Sequence, residues 1–201
     1  MKSLCFKSTS VLALALIAGG VLVTTAATSV SAAEQKDSTG QVEFAKGDIH
    51  FGEDGVTGEG VPSFDFGQQK ITTENQTYTA KEDGVLKVTD LRGTGAGWKV
   101  TVTQQAQLTT DDNDELTGAQ LSLLNATVKN TNNEVPTAAT DVTLTPEVAS
   151  TVLTADVDKG NGLSTLTWSK DNSKLSVPGQ TTKKAKQYTA TLEWTLADTP
   201  N

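Results

Sequence analysis

The chain has 201 residues, with 24 acidic side chains against 16 basic ones and a formal net charge of −8. That balance repels nucleic acid and anionic lipid headgroups, and no basic stripe offsets it, which argues against both as partners. One histidine and one cysteine leave little for histidine-based triads, thiol chemistry or soft metal sites, so the expectation is a non-enzyme without cofactor or metal.

In chain order, residues 1–33 read as a secretory signal peptide. Lys2 and Lys7 give a positive start, Val11 to Val23 an apolar stretch, and Val30-Ser31-Ala32-Ala33 a small-residue cleavage site. The apolar run is too short to span a bilayer comfortably, so no integral membrane segment is expected after processing. Cys5 leaves with this peptide, so the exported chain cannot rest on disulfides. Residues 34–60 are polar and glycine-rich and read as a flexible lead-in with at most one short strand; His50 falls there and is expected to be a solvated loop residue.

From residue 61 to 201 period-two segments recur between turn signals, with no sustained helical stripe. Expected strands are Pro62 to Phe66, Val85 to Thr89, Gly97 to Gln104, Leu116 to Asn125, Ala139 to Thr145, Thr151 to Val157, Leu163 to Trp168, Ser173 to Val177 and Lys186 to Asp198. The fold class is therefore all-β: a single sandwich or barrel-like domain of roughly eight to ten short antiparallel strands. Turn chemistry at Asp83-Gly84, Gly93 to Gly97, Lys159 to Gly162 and Pro178-Gly179 separates them, and the polar run Lys129 to Thr140 reads as a loop. Tyr78-Thr79-Ala80 recurs as Tyr188-Thr189-Ala190 without forming a repeat.

Two triplets stand out on the strands. Trp98-Lys99-Val100 and Trp194-Thr195-Leu196 each place a tryptophan and an aliphatic residue on one face of an alternating run. Either the rings stack on a sugar or a partner, or they fill the core, as their same-face neighbours Val102, Tyr188, Ala190 and Leu192 favour. Trp168, beside Leu166 on its strand face, reads as core. Arg92, the only arginine, precedes the glycine-rich turn, where its planar fork suits either a bracing carboxylate such as Asp90 or an acid on a ligand. The acidic cluster Asp111-Asp112-Asn113-Asp114-Glu115 lacks the order of a calcium loop and reads as a solvated hairpin tip.

With these residues in place the chain resembles the WxL-domain surface proteins of low-GC Gram-positive bacteria. The likeness runs from about Pro62 to the end through Phe64-Asp65-Phe66-Gly67, Val88 to Gly93, Gly97 to Val102, Leu116 to Leu121, Leu175 to Gly179 and Tyr188 to Leu196. Val100 stands where the family has Leu, a change that keeps an apolar residue at that position. The resemblance implies a secreted, cell-wall-associated protein held non-covalently, with peptidoglycan as ligand, and partners among membrane-anchored and wall-anchored surface proteins. On that reading Trp98, Lys99, Val100, Trp194, Thr195, Leu196 and Arg92 are the wall-attachment candidates. An alternative is a subunit of a surface complex, or an adhesin, that binds a membrane-anchored or host partner through a β-edge or the variable loops.

Overall fold

The computed structural model describes residues 34–56 and 60–198; the expected signal peptide, with Cys5, and the last three residues lie outside the described residues. Residues 34–42, taken by themselves, hold no helix or strand and are exposed throughout. The unit from Glu43 onward carries the described strands: β1 (Ile49–Phe51), β2 (Gln76–Thr79), β3 (Gly84–Asp90), β4 (Trp98–Gln104), β5 (Gln120–Leu124), β6 (Thr127–Asn130), β7 (Thr137–Ala138), β8 (Asp141–Thr143), β9 (Ala149–Ala155), β10 (Gly162–Trp168), β11 (Ser173–Val177) and β12 (Leu192–Ala197). A single 3-10 turn, Lys170–Asn172, joins β10 to β11.

The strands form three four-stranded antiparallel sheets, in the orders β1-β3-β10-β6, β2-β11-β5-β8 and β12-β4-β9-β7. Each sheet turns one face inward. Leu86 and Val88 of β3, Leu166 and Trp168 of β10, Leu121 and Leu123 of β5, and Trp98, Val100 and Val102 of β4 alternate into one shared core, as the pleat requires of half-buried strands. A bulge opposite Val100 and Thr101 lets the consecutive Val152 and Leu153 of β9 both point inward, against the usual alternation. A smaller cluster of Leu116, Ala119, Leu175 and Val177 lies apart, and Tyr78 and Tyr188 both pack on it.

Several boundaries differ from the sequence expectation. The segment Lys186 to Asp198 is a strand only over Leu192–Ala197; before it the chain makes one isolated bridge, Thr189 to Thr109, while Tyr188 turns to the smaller cluster. Pro62 to Phe66 is not a strand. The segment is held at its ends, by Lys87 N–H donating to Gly60 O just before it and Lys81 N–H donating to Asp65 O, with Phe64 wedged over Gly84 of β3. Edge strands β2, β6 and β7 were hidden by their polarity, and only residues 131–136 of the expected loop Lys129 to Thr140 lie between β6 and β7. His50 is no solvated loop residue: it sits half-buried in β1, opposite Thr89, with its Nδ1 3.3 Å from Asp48 Oδ1. The strands thus begin before residue 61, and β1 is the one short strand allowed to the lead-in.

Candidate functional site

The two triplets are neighbours. β12 pairs with β4 in a register that sets Leu196 opposite Val100 and Trp194 opposite Val102, so the aliphatic end of each triplet meets the other strand's inward row. Trp98 is completely buried, and its indole Nε1–H donates to Gly160 O at 3.2 Å. That approach needs a glycine. Gly160 has φ +75°, and a Cβ there would lie 2.5 Å from the Trp98 Nε1. Trp194 is only half-buried and leans on Trp168, ring centroids 6.0 Å apart, while Phe64 meets Trp168 edge-on at 6.3 Å. Lys99 and Thr195, the middle residues of the triplets, point to the outer face among Thr101, Thr103 and Glu193. In this arrangement Trp98 and Val100 touch protein on every side, and of the seven attachment candidates Lys99 and Thr195 look outward.

Arg92 is a brace. Its Nε and Nη2 grip both oxygens of Asp90 at 3.0 and 2.8 Å, Nη2 also donates to Gly97 O at 2.9 Å, and Nη1 donates to Asp198 O at 2.7 Å. One guanidinium therefore ties the end of β3, the glycine-rich turn and the exit of β12 together. Both side chains are nearly sealed from solvent, at 3% exposure for Asp90 and 8% for Arg92. Burial alone would raise the Asp90 carboxyl, but hydrogen bonds from the Arg92 side chain and backbone, with its charge, outweigh that and hold it below its usual value. Four of the five guanidinium N–H donors are used within the fold, which leaves no donor pair facing outward.

The acidic tip forms as a hairpin end, bridged from Thr109 to Glu115. Its charges meet lysines from the segment that precedes β12: Lys184 lies 2.6 Å from Asp114, and Lys186 pairs with Asp112 and stands 3.7 Å from Asp111. Among the described residues no group of three or more His, Cys, Asp or Glu side chains is placed to hold a metal ion.

The feature that sequence reading missed is a groove of about 880 Å³ between residues 62–71 and 183–190. Phe66, Tyr78 and Tyr188 supply aromatic surface, Gln69, Lys70 and Gln187 polar groups, and Leu192 at the start of β12 closes one end. Its walls are two irregular segments far apart in sequence, so no local period marks them. The recurring Tyr-Thr-Ala words were the one trace, since they bring Tyr78 and Tyr188 onto the same cluster.

A family profile described as WxL domain surface cell wall-binding matches residues 53–200, nearly the whole folded unit. The chain belongs to the WxL domain family. No curated protein and no solved structure matches it. Membership makes this a surface domain that binds the cell wall, and the two triplets lie on the paired strands β4 and β12, of which β12 is the sheet's edge. No helix among the described residues is long and apolar enough to cross a membrane.

Proposed function

We propose that this WxL domain holds the protein non-covalently to the wall by binding peptidoglycan, without catalysis, and that the ligand lies in the groove walled by residues 62–71 and 183–190. The groove is the observation that carries the reading. Its volume, about 880 Å³, falls within the range of ligand-binding clefts, roughly 300–1,000 Å³. Aromatic rings at Phe66, Tyr78 and Tyr188 offer faces to the apolar side of a sugar, and amides at Gln69 and Gln187 offer donors and acceptors to its polar groups. Asp65 is the only carboxylate lining it and is held by Lys81 at 2.9 Å, whereas two-acid glycoside cleavage needs a facing pair. The strands that carry the triplets reach the groove at Gln104 and Leu192, while β2, β5 and β11 supply Tyr78, Leu121, Leu175 and Val177.

The chain as a whole is acidic and the lysines that line the groove act only over a short range, so long-range attraction to anionic wall polymers is weak and retention should persist at moderate salt. A pull-down of the exported protein on purified peptidoglycan tests this: retention of wild type, and a drop of about tenfold for Tyr188→Ala, the loss of roughly 1.4 kcal/mol of contact. Absence of wild-type retention by folded protein would end the peptidoglycan reading. Full retention by a folded Tyr188→Ala protein would move the site elsewhere.

One observation favours a second reading, a subunit of a surface assembly. β12 lies at the edge of its sheet, open to a further strand.

A further inference from the structure

In the pairing of β12 with β4, Gln105 N–H donates to Thr191 O, so Thr191, Glu193, Thr195 and Ala197 turn their backbone groups toward β4. Leu192, Trp194 and Leu196 then direct theirs away from it. No hydrogen bond to those N–H and C=O groups is found among the described residues. The same three residues form the inward row, and all three are only partly buried against the core. This edge carries no proline, no lysine and no bulge to blunt it. An antiparallel strand added here would bond to Leu192, Trp194 and Leu196 through residues whose own side chains fall on the inward face, since directly opposite residues of an antiparallel pair project to the same side.

The chain holds a segment of that pattern. In Gln41-Val42-Glu43-Phe44-Ala45-Lys46, Val42 and Phe44 share one face about 7 Å apart along an extended chain, and the long side chain of Lys46 follows at the end of that face, where its ammonium can reach solvent. Val42 is 78% and Phe44 88% exposed, the two most exposed large hydrophobic side chains in the described residues. Phe44 is therefore not docked on an edge of its own unit, where Gly47 and Leu91 already fix the following residues to the end of β3. We propose that β12 accepts, as an added antiparallel strand, the extended segment centred on Phe44 of a second copy of this chain. Phe44 then covers the open side of Trp194, and the three idle N–H and C=O pairs are satisfied. Donor and acceptor are different surfaces, so the contact is head-to-tail and extends from copy to copy unless a ring closes. It does not rest on the wall reading, whose groove shares only Leu192 with this edge.

Sedimentation velocity on the exported protein over a concentration series tests it, beside a variant carrying Val42→Lys and Phe44→Lys. Wild type should form species above the monomer that grow with concentration, and a synthetic peptide of residues 38–47 should dissolve them. The double variant should stay monomeric with an unchanged melting temperature, because both replaced side chains are exposed. Wild type that remains monomeric up to its solubility limit, or a double variant that assembles like wild type, overturns the proposal. Monomeric wild type whose Trp194 and Leu196 amides lose exchange protection in the variant would assign the segment to its own edge, and overturns the two-copy form. Peptidoglycan retention is measured separately, so failure of either idea is visible without the other.

Discussion

Arg92 shows what a single residue settles here. Its side chain joins three stretches of chain, Asp90, Gly97 and Asp198, in a nearly dry site. Asp90→Asn should cost about 3 kcal/mol in chemical denaturation, because it strands a buried guanidinium. The sign with pH follows from the lowered Asp90 carboxyl. A carboxyl depressed in the folded state stabilises fully above its unfolded value of about 3.9, and that contribution is lost as pH falls through the lower folded value. Wild type should therefore lose stability below about pH 4 along a slope that Asp90→Asn partly flattens. Gly160 gives a second test at this scale. Gly160→Ala would press a methyl into Trp98 and Ala155 at a positive φ and should lower stability by about 1–3 kcal/mol, read as a fall in melting temperature.

Strands β4 and β12 carry the element-scale lesson. Both are legible as alternating runs, and alternation correctly puts the tryptophans inward, but it cannot say that one ring is sealed and the other half-covered. That difference follows from position in the sheet: β4 has neighbours on both sides and β12 has one. Trp98→Ala should accordingly cost about 3–5 kcal/mol, the range for emptying a large aromatic site. Trp194→Ala should cost clearly less, and equal losses in urea denaturation would contradict the edge placement of β12. The stretch Lys186 to Ala190 keeps the alternation of the strand that follows it, yet leaves the sheet because Tyr188 finds Leu116, Ala119, Leu175 and Val177 instead. Period two reports a face to bury, and here a second cluster competes for it. Strands β2 and β6 make the opposite point, since polar edge strands need ladder bonds more than apolar residues and leave no periodic mark.

At the scale of the whole molecule, three sheets close over one core while two irregular segments stand off it and wall a groove. The acidic excess stays on the surface, where Asp111, Asp112 and Asp114 are met by Lys184 and Lys186 from the groove wall. These exposed pairs are screened by solvent, so high salt should leave the fold intact and loosen only the tip. The sequence alone determined the all-β class, the family, and that the tryptophan and the aliphatic residue of each triplet share one face, because strand periodicity and motif order are local properties of the chain. Only the tertiary structure decided that Val100 meets Leu196, that Arg92 turns its fork to partners inside the fold, that Tyr78 and Tyr188 share a groove and that β12 ends a sheet. Register, edge position and the approach of distant segments are set by long-range pairing, and a period of two is the same whichever strand lies alongside.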